Sequence, residues 1–326
     1  MGLGDDNHKV ACMRALTGIL RPRIGRAILP LVLGLVLATG AQAQKAFDTP
    51  EAAMNAFGSA VASSDDAAIT ALLGSSARRM IPPLGADLRY RFLTAWSQSH
   101  SVVKSDDKHA RIAVGNDGWT LPIPLVATNG RWQFDAQAGI QEIRLRRIGR
   151  NELSTIQTML AIYDAQHEYA LGNHEGNGLL VYARKLVSTP GKKDGLYWPT
   201  KPGEPESPLG PAFIDAVTSH RSASDGYNGY RYKLLNGQGA TAPGGKYTYL
   251  VNGKLFGGFA VLAWPARYGD TGFKSFMVSH DGQVYERDLG RDTNARAAAI
   301  DTFDPGAGWT KVAPELLQPI TSASTQ

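Results

Sequence analysis

A serine three residues before a lysine, Ser101-Val102-Val103-Lys104, has the spacing used by serine acyltransferases. That chemistry needs a helical turn to bring the ammonium beside the hydroxyl. Two β-branched residues between them favour a strand instead, and no Lys-Thr-Gly partner follows. His167-Glu168 and His174-Glu175 open like a zinc-protease motif, but neither has a second histidine four residues on. His167 reads as a hydrogen-bonded core residue on a helix's inner stripe. His174 reads as a solvated residue in a Gly/Asn-rich turn. Gly237-x-Gly239-x-x-Ala242 imitates a dinucleotide fingerprint, yet Pro243-Gly244-Gly245 stands where the helix would begin, so a loop is expected. Asp281, Asp288, Asp292, Asp301 and Asp304 offer hard oxygen ligands suited to Ca²⁺. Their spacing does not match the twelve-residue calcium loop, and turn and cap duty is the favoured reading.

A Ser-His-Asp triad assembled from distant residues stays open, although no Gly-x-Ser-x-Gly elbow supports one. If the chain is a hydrolase, the candidates are His174, Glu175 and Asp225, with the loop from His174 to Pro211 as a lid. Aromatic residues are the other chemical resource. Tyr230, Tyr232, Trp264 and Tyr268 are candidates for a binding surface, against the favoured reading of strand aromatics as core or cross-strand pairs. Pro265 and Gly269 place Trp264 and Tyr268 in a loop beyond the sheet, where rings stack on sugars or on a partner protein. No residue set calls for catalysis, a metal or a cofactor.

Composition narrows the field further. The 326 residues are 43% hydrophobic and 19% charged, which suits packed cores, and 36 glycines with 18 prolines point to many turns. Arg21, Arg23 and Arg26 precede an apolar run from Ala27 to Ala38 and then Ala41-Gln42-Ala43. This is the layout of a secretory signal peptide, with cleavage expected between Ala43 and Gln44. The run is short of the ~20 residues a membrane span needs. Met13 is an alternative start, and either way the lone cysteine, Cys12, is removed. Without residues 1–43 the chain carries 29 basic against 27 acidic residues, a balance that gives no electrostatic case for nucleic acid. A periplasmic or secreted protein is expected, with no membrane span in its mature chain.

These resources have to be positioned by regular elements. Thr49-Pro50-Glu51 starts a helix with Met54, Phe57 and Val61 on one face, and Asp65-Asp66 starts a second that Gly74 ends. A third runs through Leu88, Phe92 and Trp96. Strands follow at Val102-Val103, Arg111–Val114, Trp119–Val126 and Trp132–Phe134, with Asn116-Asp117-Gly118 and Asn129-Gly130 as turns. A long helix is predicted from an Asn151 cap to about Leu171, then a Gly/Pro-rich loop, then a short helix near Phe213–Val217. An antiparallel meander completes the pattern, with hairpins at Asn252-Gly253 and Asp281-Gly282. The expected class is α+β. Its divisions are a signal peptide at 1–43, a first domain at 44–148, a helix-plus-sheet domain at 149–312 and a flexible tail at 313–326.

The order of elements in 44–148 resembles the cystatin-like or nuclear-transport-factor-like cone. The second half resembles a pilin or pseudopilin globular head, through Ala165-Gln166-x-x-Tyr169 and a Gly-Tyr-x-Tyr strand. More specific stretches are Gly229–Leu235, Ala242-Pro243-Gly244-Gly245, Val251-Asn252-Gly253-Lys254, Gly257–Ala260, Ala263–Gly269 and Val278–Gly290. On these the chain resembles the domain of unknown function 2950 family from about Thr49 to Val312. That resemblance implies export from a bacterial cell. The expected function is a non-catalytic binding or envelope-assembly module, partnered by an envelope protein or a polysaccharide. The alternatives are an envelope hydrolase with dispersed catalytic residues and a pilin-like structural subunit.

Overall fold

The computed structural model describes residues 44–75, 85–174, 176, 178–211 and 226–318. Ala43, Glu175, Asp225 and the short helix expected at Phe213–Val217 lie outside the described residues.

Among the described residues, three helices and a four-stranded sheet make the first half. In α1 (Pro50–Ala62), Thr49 accepts a hydrogen bond from Ala52 N at 3.1 Å and Pro50 occupies the first turn. Its buried face, Ala53, Met54, Phe57, Ala60 and Val61, repeats at helical spacing. Helix α2 (Asp66–Leu73) is capped by the Asp65 carboxylate, which accepts from Ala68 N at 2.9 Å. Helix α3 (Ala86–Gln98) sets Phe92 edge-on to Phe57, with ring centroids 6.0 Å apart. The sheet is antiparallel in the order β1 (His100–Lys104), β2 (His109–Val114), β3 (Leu125–Thr128) and β4 (Arg131–Phe134). Asn129 (φ 52°) and Gly130 (φ 74°) close the β3–β4 hairpin as the sequence predicts. The strand expected over Trp119–Val126 is shorter. Pro122 and Pro124 remove two donors, and regular pairing begins only at Leu125. Ser101 and Lys104 stand on β1, three residues apart on a pleated strand, so they point to opposite faces.

The long helix differs from its prediction. Helix α4 runs over Ala136–Ala170, 35 residues, and its cap is Asp135, which accepts from Ala138 N at 2.9 Å. Asn151 is mid-helix and not a cap; its Nδ2 donates to Thr271 O at 2.9 Å. The expected division at 148–149 therefore falls inside one continuous helix. The first turns of α4 finish the first core: Gly139 lies so close to Ile123 that an added Cβ would sit 2.8 Å from it. Later turns present Ile156, Met159, Ile162, Ala165 and Tyr169 to the second core.

The second sheet has the order β13-β12-β11-β10-β5, all antiparallel: β5 (Tyr230–Leu235), β10 (Ala260–Pro265), β11 (Lys274–Ser279), β12 (Val284–Asp288) and β13 (Thr310–Lys311). Helix α4 covers one face, and the short α5 (Thr293–Ala299) packs on β10. Two small ribbons are added, β6 (Gly237–Gln238) with β7 (Tyr247–Thr248), and β8 (Leu250–Val251) with β9 (Lys254–Leu255). The Gly237-x-Gly239 motif opens a turn, as its proline demands. The buried Gln238 side chain clamps that turn by donating to Pro243 O at 2.5 Å and Gly245 O at 2.7 Å. The protein is thus α+β.

Three arginines join the halves. Arg146 donates to Thr120 O at 2.7 Å in the first half. Arg144, on another side of the helix, donates to Gly269 O at 2.6 Å, and Arg147 pairs with Asp270. Glu152 accepts from Phe273 N at 2.9 Å and Lys274 N at 3.1 Å. The loop carrying Tyr268 is therefore a clasp on α4.

Candidate functional site

The candidate aromatic surface does not assemble, and the pleat explains why. In the β5–β10 register Trp264 faces Arg231, whereas Tyr230 and Tyr232 face Pro265 and Ala263. Trp264 is therefore on the opposite face from both tyrosines. Tyr230 is fully buried and donates to Lys274 O at 2.8 Å. Tyr232 packs under α4, its hydroxyl 3.4 Å from Thr155 Oγ1. Burial pushes both phenols up from their ordinary range. Trp264 belongs to strand β10, not to a loop, is half-buried, and donates from Nε1 to Asn294 Oδ1 at 3.0 Å. Tyr268 does lie in a loop, half-exposed, and donates to Asp288 Oδ2 at 3.0 Å.

The five aspartates serve local structure. Asp281 accepts from Ser279 Oγ at 2.6 Å and Asp288 from Gly290 N at 2.7 Å, both in turns. Asp292 sits at the start of α5. Asp301 pairs with Lys233 at 3.6 Å, and Asp304 accepts from Thr241 N at 2.9 Å. Among the described residues no three of His, Cys, Asp or Glu are placed to hold a metal ion. His167 is not hydrogen-bonded as expected. Its ring meets Tyr163, Tyr182 and Phe259, and its Nε2 is buried without a partner among the described residues.

A different site forms where the loop after α4 meets the β8–β9 ribbon. It is an open groove of about 900 Å³, lined by His174, Arg184, Lys185, Gly191–Asp194 and Asn252–Lys254. Three segments distant in sequence build it, and each is pinned. Gln166 on α4 is fully buried; its Nε2 donates to Ala183 O at 2.9 Å and its Oε1 accepts from Ala183 N at 2.8 Å. That pair satisfies all the backbone polar groups of Ala183 and ties the segment before Arg184 to the helix. Tyr182 N donates to Leu255 O at 2.9 Å and Arg184 Nη1 to Gly253 O at 2.6 Å, which fixes the ribbon beside it.

The lysine tip is a turn of its own. Lys192 N donates to Thr189 O at 2.8 Å across Pro190 and Gly191, and Gly191 has φ 76°. Proline then glycine at the central positions, the second with positive φ, is the pattern of a type II turn. Asp194 organises the base. It accepts from Thr189 N at 2.7 Å, Thr189 Oγ1 at 2.8 Å and Lys185 Nζ at 2.9 Å. Partial desolvation pushes its carboxyl up, but the Lys185 ammonium and the Thr189 donors outweigh this and hold it well below the usual range. Tyr169 OH donates to Lys193 O at 2.7 Å, and the Lys193 ammonium lies 5.3 Å from the centre of the Trp198 ring. His174 is packed between Tyr169, at 4.5 Å, and Trp198, at 5.3 Å, so the solvated turn residue expected from the sequence is half-buried instead. Desolvation first, and then the Lys193 charge, lower its pKa from the ordinary value, which favours the uncharged ring.

The charge of the groove follows from these contacts. Arg184, Lys185, Lys192, Lys193 and Lys254 line it, and among the described residues Asp194 is the one carboxylate against them. That carboxylate is already engaged by Lys185 and Thr189. The lining attracts anions, and its fixed backbone positions let several phosphate or carboxylate groups be met at once. The sequence marks Lys192 and Lys193 as part of an exposed loop. It gives no sign of their partners, because Arg184 and Lys254 reach them only through the Gln166 and Gly253 contacts.

No match is found to a curated protein or to a solved structure. A family model matches residues 44–312, the whole of both sheets and the groove between their connecting segments. On that match the chain belongs to the family described as Protein of unknown function (DUF2950).

Proposed function

We propose that the protein is an exported, non-catalytic binding module whose ligand is anionic and is held in the basic groove. One observation carries the reading: five cationic side chains converge on a groove whose only carboxylate among the described residues is already bound to protein donors. The basic and apolar leader ending in Ala41-Gln42-Ala43 supports export to the periplasm or beyond. His174, the one hydrolase candidate among the described residues, is packed between two aromatic rings in that groove. Its surroundings suit holding a ligand as one of its walls.

Inorganic polyphosphate is a suitable probe. The protein is expected to bind it at low salt, with affinity falling steeply as salt rises, because cations that neutralise an anion's charge release counterions. Lys192→Ala with Lys193→Ala is expected to weaken binding about tenfold, since each exposed pairing contributes up to ~1 kcal/mol. No polyphosphate binding at low salt, or binding that the double substitution leaves unchanged, rejects the groove as the site.

A further inference from the structure

The groove is framed by apolar side chains that a soluble anion has no use for. Leu171, Leu180, Val251 and Phe256 are 82%, 55%, 51% and 59% exposed. Each lies within a few residues of the lining: Leu171 precedes His174, Leu180 precedes Arg184, and Val251 and Phe256 bracket Asn252–Lys254. In the β8–β9 ribbon Val251 is the register partner of Lys254, so both point to one face. Phe256 follows the buried Leu255 just past the end of β9, its N donating to Tyr249 O at 3.0 Å. The ribbon therefore sets an exposed valine beside a lysine, with an exposed phenylalanine at its end, next to a groove that supplies four more cations.

Aliphatic and phenyl groups projecting beside lysines and arginines match the boundary of a bilayer, where acyl chains lie just beneath anionic headgroups. Resting on the anion-binding reading, we propose that this face docks on an anionic phospholipid bilayer. Val251, Phe256 and Leu180 enter the headgroup boundary while the groove cations meet lipid phosphates. No helix among the described residues is long and apolar enough to cross a membrane, so the attachment is peripheral.

Flotation with vesicles tests this, using the chain from Gln44, which includes the whole compact unit that the structure describes. Vesicles of phosphatidylcholine with an equal share of phosphatidylglycerol are expected to carry the protein at low salt; phosphatidylcholine alone is not. Lys192→Ala with Lys193→Ala is expected to lower partitioning about thirtyfold, at roughly fivefold for each cation near a headgroup surface. Val251→Ser with Phe256→Ser, which adds no charge beside Lys254, is expected to lower it at least ~tenfold and to leave polyphosphate binding unchanged. Both pairs are exposed, and a thermal melt confirms that each variant is folded. Polyphosphate binding without vesicle binding, or vesicle binding indifferent to the two serines, overturns the lipid proposal and leaves a soluble polyanion such as an acidic polysaccharide. Failure to bind either probe overturns the anion reading as well.

Discussion

The two sheets of this protein use the same antiparallel pairing in opposite ways. In the first, β2 alternates exposed and buried residues, and β1 has both ends and its Val103 in water. Among the described residues, helices cover one side only. In the second, Val261, Leu262, Ala263, Phe276, Met277 and Val278 are all buried, on both sides of the pleat. There α4 and α5 cover opposite faces. A sheet with a wet face tolerates change at every second position, and a doubly covered sheet tolerates it almost nowhere. The groove is built on the covered sheet's side of the molecule, where burial is densest.

Substitutions sharpen that contrast. Phe276→Ala is expected to have the largest effect, a loss of about 3–5 kcal/mol on denaturant unfolding, because a fully buried ring against Tyr230 leaves a cavity. A loss below ~1 kcal/mol would mean that the second sheet is loosely packed. Asp194→Asn comes next and depends on pH. The carboxyl is held below its ordinary 3.8, so its stabilisation is complete above that value and is lost as pH falls through the lowered pKa. The variant is expected to melt below the wild type at pH 7, and the gap is expected to narrow below pH 3.8. A constant gap across both conditions would remove the charge argument. Val103→Ser is expected to be the mildest, within ~0.5 kcal/mol, since the side chain is half in water. A large loss there would mean that the wet face of the first sheet is covered in solution.

Local signals were legible in the sequence wherever neighbouring residues decide the outcome. Thr49 and Asp65 cap the helices expected of them, and Asn129-Gly130 and Asn252-Gly253 turn where their positive φ allows. The start of α4 was hidden, because Ala136 to Arg150 mixes glycine, glutamine and arginine, and its apolar stripe there is thin. Asp135 caps it but directly follows a strand, so it reads as a strand end. The aromatic site failed for a different reason. Tyr230 and Tyr232 share a parity that the sequence shows, but the face of Trp264 depends on strand register, which only the folded pairing sets. The groove was beyond reach for the same reason at larger scale. Its cations come from segments near 184, 193 and 254, brought together by a buried glutamine, a backbone bridge and one guanidinium contact.

Helix α4 also sets a distance. Gly139 is packed in the first core and Tyr169 against the groove, and the thirty residues between them rise about 45 Å at 1.5 Å each. A flexible tether would let that separation vary, whereas an unbroken helix holds it like a ruler. Whatever occupies the groove is therefore kept at a set standoff from the first sheet.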